Sequence, residues 1–353
     1  MIFLSRRSIL LRSAGVANIS HRFRIAAGIL LLAALAGAGA PAGADGIWGQ
    51  EKGLLVKEGG DFRFVVGEAS VEVALPANVR IEGVFSLDQQ ALVSGVTSAS
   101  PQSADGSELF LGIASAHAWV ALPVPGGRRV GVSRENGVPL TTPSDELTGV
   151  AWLEGDSRQR NAVKVATWNG SGWGAIEVVA EPGPGSQLAL ASATLDDGAT
   201  MLLWSRYDGS DDEIVFSRRV DGRWTEAQPI AADNAVPDIV PAIVAIPGGA
   251  LAAWSRYDGH DYRVVLARFE SGTWSAPEIV GGPGSVYPTF ERMSGGARLL
   301  FESAQPHGWS VVELEGSGKI RRQTRLDTPA RQRPVLVGQT ARWADRELPL
   351  RWN

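Results

Sequence analysis

The chain has 353 residues, 44% hydrophobic and 20% charged, an ordinary globular balance with enough apolar content for a large core. It has no cysteine, which excludes disulfides, a thiol nucleophile and a thiolate metal site. Beyond a basic leader it carries 28 basic and 38 acidic residues, a net charge of −10. Such a surface repels phosphate backbones, so no nucleic-acid partner is expected.

Residues 1–44 hold five arginines and no acid. Arg22 and Arg24 precede the apolar run from Ile25 to Ala40, and Ala42-Gly43-Ala44 fits an A-x-A cleavage site. The segment reads as a signal peptide cut after Ala44. The run is Gly-interrupted and shorter than the ~20 residues of a membrane span. Ser5-Arg6-Arg7-Ser8-Ile9-Leu10-Leu11 resembles a twin-arginine export signal. Its arginines lie far from the apolar run, and a start nearer Ser20 fits equally well. The expected location is outside the cytoplasm, periplasmic or secreted, and nothing after Ala44 is long and apolar enough to span a membrane.

The rest of the chain repeats. The segment 202–231 overlays 252–281 at an offset of 50 without a gap, with 11 of 30 positions identical. The shared residues include Trp-Ser-Arg-Tyr-Asp-Gly at 204–209 and 254–259. Weaker copies flank these: Trp152 and Trp173 match Trp204 and Trp224, and Ser94 and Phe301 stand at the first Trp position of the outer units. The late tryptophans fall at 119, 173, 224 and 274, spaced by 54, 51 and 50. That regularity marks a repeat architecture.

Each unit reads as strands. "EIVFSRRV" and "RVVLARF" are apolar on both parities, as in a strand covered on both faces. Turns such as Asp221-Gly222 and Ser271-Gly272 follow, each with a Trp opening the next strand. Gly/Pro clusters close several units. Four short strands in about 50 residues make one propeller blade. A lone blade cannot cover both of its faces, so Trp152, Trp173, Trp204, Trp224, Trp254 and Trp274 are expected to fill the spaces between blades, Trp224 and Trp274 largely buried there.

The predicted fold is therefore an all-β propeller in a single domain over 45–353. Five units are expected at 79–127, 128–183, 184–233, 234–283 and 284–328. Residues 45–78 and 329–353, joined, would complete a sixth and close the ring; five to seven blades are all compatible with the sequence.

The unit resembles the repeats of sialidase-like propellers, in which Ser, Asp, Gly and Trp cap the hairpin before the last strand. The equivalent places read Ser217…Asp221-Gly222-Arg223-Trp224, Gly170-Ser171-Gly172-Trp173 and Ser271-Gly272-Thr273-Trp274. It is also similar to the six-bladed fucose-binding lectins, where an Arg, an acid and an aromatic hold sugar between blades. That resemblance implies ligand contacts from Arg206, Tyr207, Asp208, Arg256, Tyr257 and Asp258. The two arginines also fit a simpler role, pairing with an acid of the next blade.

No catalytic set emerges. A sialidase-like hydrolase needs three arginines, a Tyr–Glu pair and an acid–base Asp, and only Tyr207, Tyr257, Tyr262 and Tyr287 are available, two of them inside the repeat. There is no Arg-Ile-Pro, no Gly-x-Ser-x-Gly elbow and no pair of neighbouring histidines among His117, His260 and His307. Asp208, Ser210 and Asp212 are alternate oxygens, as in Ca²⁺ loops. The sister loop Asp258-Gly259-His260-Asp261-Tyr262 breaks that series, and an acidic β-turn explains both. No cofactor is expected beyond that Ca²⁺ reading. The expectation is a non-enzymatic binding or scaffolding propeller for a glycan or a protein. The alternative is a sialidase-like hydrolase with its residues on irregular loops such as 96–107 or 128–148.

Overall fold

The computed structural model describes residues 46–353 except 77, 98–107, 125–136, 158–159, 184, 233, 305 and 331. The leader, its cleavage site and most of the loops 96–107 and 128–148 lie outside the described residues. The remainder of the second loop is not irregular, since 137–141 is a strand.

The described chain forms seven antiparallel sheets arranged as a ring, a seven-bladed β-propeller. Blade 1 is β1 (Gly46–Gln50), β2 (Gly53–Glu58), β3 (Asp61–Val66) and β4 (Ala69–Glu72). Blade 2 is β5 (Val79–Ser86), β6 (Gln90–Thr97), β7 (Glu108–Ser115) and β8 (Trp119–Leu122). Blade 3 is β9 (Gly137–Thr141), β10 (Leu147–Ser157), β11 (Arg160–Trp168) and β12 (Trp173–Ala180).

Blades 4 and 5 carry the repeated hexapeptide. In blade 4, β13 (Gln187–Thr194), β14 (Thr200–Tyr207) and β15 (Asp212–Val220) precede an outer strand broken into β16 (Arg223–Trp224) and β17 (Gln228–Pro229). In blade 5, β18 (Asp238–Ile246), β19 (Gly249–Tyr257) and β20 (Tyr262–Glu270) precede β21 (Thr273–Trp274) and β22 (Glu278–Ile279). Blade 6 is β23 (Ser285–Met293), β24 (Gly296–Ala304), β25 (His307–Glu315) and β26 (Ile320–Asp327). Blade 7 has three short strands, β27 (Val335–Val337), β28 (Thr340–Arg342) and β29 (Glu347–Pro349).

The expectation of a sixth blade shared by the two ends is corrected here. Each end builds its own sheet, and the ring closes where blade 7 lies beside blade 1. Gln332 Nε2 donates to Ile47 O at 3.0 Å, and Gly338 N donates to Glu51 Oε2 at 3.2 Å.

The core is a series of layers between neighbouring sheets. Trp152 packs on Leu92, Leu109 and Leu111 of blade 2, and Trp204 on Leu153 and Val163 of blade 3. Trp254 packs on Met201 and Leu203 of blade 4. All three are fully buried. Phe301 takes the same place against Leu251 and Val264 of blade 5. The later tryptophans stand at the outer ends of these layers and are half-buried, less than the sequence suggested. Trp274 reaches Phe216 of blade 4 at a ring distance of 5.8 Å, and Trp173 Nε1 donates to Pro123 O at 2.6 Å. These strands are only two residues long in blades 4 and 5, so one side of the indole stays open.

The repeated turns follow from their residues. Asp221-Gly222 and Ser271-Gly272 each hold two consecutive positive φ angles (52° and 77°, 51° and 88°), the geometry of a two-residue hairpin that Gly accepts without cost. A second repeated device sits on the inner strands. Ala189, Val240 and Tyr287 all have φ of 55–57°, each at a bulge in its pairing with the next strand. Left-handed backbone at a β-branched residue is unusual. The neighbouring blade holds two of these bulges: Val240 N donates to Ser205 Oγ at 3.0 Å, and Tyr287 N to Ser255 Oγ at 3.1 Å. The serine of Trp-Ser-Arg-Tyr-Asp-Gly is thus a tie between blades.

Candidate functional site

Strand direction alternates within every blade. The turns between second and third strands therefore lie on one face of the disc, and the turns between first and second strands on the other. The residues expected to hold ligand, 206–208 and 256–258, are on the first face. A central cavity opens on the second.

The side chains of the repeated loops are largely spent on their own fold. Tyr207 Oη donates to Gly209 O and Tyr257 Oη to Gly259 O, both at 3.0 Å. Asp208 Oδ1 accepts from Ser210 N at 2.7 Å and Asp211 N at 3.2 Å. Asp258 Oδ1 accepts from His260 N and Asp261 N, both at 2.9 Å, and its Oδ2 from Arg263 Nε at 2.6 Å. Those backbone bonds and Arg263 hold the Asp258 carboxyl far below the usual carboxylate range. Arg256 grips Asp238 with Nε at 2.8 Å and Nη2 at 2.6 Å. Asp238 is in the same blade, not the next. Burial pushes the Asp238 carboxyl up and the two Arg256 bonds oppose it. Arg206 makes no ion pair among the described residues.

Asp212 has a different character. Its Oδ1 is buried without a hydrogen-bond partner. Burial, with the charges of Asp211 and Asp208, raises its pKa to about 7. Asp208 Oδ1 is committed to its turn. Among the described residues no group of three or more His, Asp or Glu side chains is arranged to hold a metal ion.

On the opposite face the seven inner strands enclose a central cavity of about 930 Å³. Small residues near the axis, among them Ala191, Ala193, Ala242 and Ala245, keep it open. Its charged lining is Glu51 and Lys52 of blade 1, Asp145 of blade 3, Glu291, Arg292 and Arg298 of blade 6, and Arg333 ahead of blade 7. Phe85 and Phe290 supply aromatic surface.

Blade 6 dominates this lining. Glu291 and Arg298 stand directly opposite each other on β23 and β24, with Arg298 Nη1 3.4 Å from Glu291 Oε2 and 2.8 Å from Gly338 O of blade 7. Burial raises the Glu291 carboxyl, Arg298 draws it down, and the neighbouring charge of Glu51 raises it again. Arg292 reaches across the cavity. Its Nη1 lies 3.4 Å from Pro143 O and 3.8 Å from Asp145 Oδ1, and its Nη2 lies 3.8 Å from Asp196 Oδ1 of blade 4.

None of these residues belongs to a sequence motif. Their signal is a departure from the repeat. In matching register, blade 5 has Val244, Ala245 and Leu251 where blade 6 has Glu291, Arg292 and Arg298, and blade 4 has Ala193, Thr194 and Met201.

No family model matches the chain, and no curated protein sequence matches it. Solved structures do resemble it. A protein of unknown function from Dyadobacter fermentans DSM 18053 is 11% identical over 76% of this chain and 87% of its own, with a TM-score of 0.54. The polysaccharide lyase Uly1 is 11% identical over 87% of this chain and 86% of its own, with a TM-score of 0.51. The fungal lectin of Aleuria aurantia, a six-bladed propeller, is 11% identical over 80% of this chain and 95% of its own, with a TM-score of 0.49. At such identities the likeness is one of fold. It does not extend to a sialidase identity. No helix among the described residues is long and apolar enough to cross a membrane.

Proposed function

We propose that this protein is an exported binding propeller that holds a glycan or protein partner in its central cavity. One observation carries the reading: blade 6 places three charged side chains in the cavity where the sister blades run with uncharged ones. Blades 4 and 5 form the same sheet without those charges, so the blade fold does not require them. Export rests on the leader, and sequencing the N-terminus of the native protein tests it: Asp45 is expected first.

A hydrolase reading draws on Glu291, a partly buried carboxyl with a raised pKa in the central cavity. Its ion pair with Arg298 argues for holding rather than proton transfer. A chromogenic glycoside screen separates the two. Turnover by the parent that Glu291→Gln abolishes would replace the binding reading with an enzymatic one; no turnover is expected.

A further inference from the structure

We infer that the ring has one built-in opening, the seam between blade 7 and blade 1, which parts reversibly and gives the central cavity a side entrance. Such an opening belongs to the ring and does not depend on what the cavity holds.

Seven sheets in a ring meet at seven seams. In six of them a layer of buried apolar side chains from both blades fills the space. The layer between blades 6 and 7, for example, contains Trp309 from one and Trp343 from the other. The seventh seam is built differently. Among the described residues, the buried apolar side chains of blade 7 and its tail are Val335, Leu336, Ala341, Trp343 and Leu350. The last four belong to the layer against blade 6. In and just after blade 1, Leu55, Phe64 and Val73 belong to the layer against blade 2. Ile47 and Val335 are left for the seam between the two blades. Both are placed for it by register: Ile47 is out of phase with Trp48 and Leu55, and Val335 with Leu336 and Ala341.

Nothing stronger replaces the missing layer. The chain runs on across each of the other six seams, and neither end lends a strand to the other's sheet. Gln332 Nε2 to Ile47 O and Gly338 N to Glu51 Oε2 join the two blades, the second through an exposed side chain. Blade 7 is tied to blade 6 more firmly. Beyond the shared layer, Arg298 Nη1 donates to Gly338 O at 2.8 Å, Trp309 Nε1 to Ala330 O at 3.0 Å and Asn353 N to Gln323 O at 3.0 Å. Apolar burial is the main force holding sheets face to face, and regions that lack it open well before the whole molecule unfolds. When the ring opens, blade 7 therefore stays with blade 6 and leaves blade 1. Glu51 and Lys52 line the cavity on one side of this seam, and Arg333 and Val335 on the other, so parting it breaches the cavity wall.

The chain has no cysteine, so one introduced thiol reports its own exposure. Val335→Cys places a thiol on the face of blade 7 toward blade 1, and Ala341→Cys places one on the face toward blade 6. The probe is a polymer-tethered maleimide too bulky to enter the cavity. Under native conditions the Val335→Cys thiol is expected to react about tenfold or more faster than the Ala341→Cys thiol. Adding Glu51→Ala or Gln332→Ala removes one tie across the seam and should speed the first reaction severalfold while leaving the second unchanged. Thermal melts establish that the variants fold. Equal rates for the two thiols would mean that blade 7 comes away as a whole or the molecule unfolds globally, and the inference is then wrong. A faster Val335→Cys thiol that neither tie variant accelerates is being reached without parting the seam, which overturns it as well.

Discussion

Blades 5 and 6 are built on the same register, yet they spend their polar residues in opposite ways. Blade 5 keeps its inner strands apolar and places charge at the outer turn, where Arg256, Asp238 and Asp258 bind one another's neighbourhood into a fixed loop. Blade 6 has Ser303 and Ser285 where blade 5 pairs Arg256 with Asp238, and moves charge inward to Glu291, Arg292 and Arg298. The comparison separates two kinds of conspicuous residue. Those that recur from unit to unit hold units together. Those that break the pattern stand where sister blade 5 has Val, Ala or Leu, so the sheet itself does not call for their charge, although Arg298 also ties blade 6 to blade 7 through Gly338 O.

The comparison is broken most severely by removing what recurs. Trp204→Ala or Trp254→Ala deletes a fully buried indole between two sheets and should cost about 3–5 kcal/mol in denaturant melts. Trp224→Ala and Trp274→Ala, at half-buried positions, should cost about half as much. Equal losses at all four would mean that the outer ends of the layers are as tightly packed as their centres. Next in size is Arg256→Ala, which leaves the buried Asp238 carboxylate without its bidentate partner. A loss of about 2–4 kcal/mol is expected, somewhat below the usual cost for a fully buried pair because Arg256 is partly exposed. Adding Asp238→Asn should recover much of it. A double variant as unstable as the single one would show that the pair is not what the arginine supports.

Legibility followed the same divide. The all-β class and the propeller were readable because Trp204 and Trp254 sit in identical hexapeptides and because Asp221-Gly222 and Ser271-Gly272 can hardly be anything but hairpin turns. Blade number was not. Blade 1 uses strands of four to six residues and blade 7 strands of three, so neither matches a unit of about 50, and together they looked like one. The cavity was illegible for another reason. Its charged residues come from Glu51 to Arg333, brought together only by ring closure, and no local motif marks them. What the sequence did hold was the mismatch of Glu291, Arg292 and Arg298 against Val244, Ala245 and Leu251. It can be seen only once the register is known. The repeated Arg-Tyr-Asp stands out because it recurs, and its tyrosines and aspartates bond within their own turns.

Asp212 gives a smaller, pH-dependent contrast. Its counterpart one blade earlier is Asn161, each lying three residues past the buried Trp in the strand pairing. Asn161 clamps the next blade: Nδ2 donates to Gln187 O at 2.7 Å and Oδ1 accepts from Gln187 N at 2.8 Å. Asp212 has a pKa of about 7 in the folded protein, raised by burial and by Asp211 and Asp208, against an ordinary value near 4 when unfolded. Between about pH 4 and 7 the unfolded chain has released this proton and the folded one has not, so stability falls as pH rises through that window. Asp212→Asn removes the dependence. The variant should match the parent near pH 4 and exceed it at pH 8 by on the order of 1–3 kcal/mol. A gap that does not grow with pH would show that Asp212 is ionised throughout.

The smallest effect belongs to Arg206, and it tests the comparison most directly. Arg206 and Arg256 occupy one position of the repeat, but Arg206 lies across from Gln187 where Arg256 lies across from Asp238. Gln187 offers Arg206 no charge to pair with: its Nε2 donates to Asn161 O at 2.7 Å and Glu181 O at 3.2 Å, and its Oε1 makes no hydrogen bond among the described residues. Arg206 therefore holds nothing comparable, and Arg206→Ala should change stability by about 0–1 kcal/mol, within the range of an exposed charge. A loss as large as that of Arg256→Ala would mean that the motif stabilises both blades alike, whatever faces it.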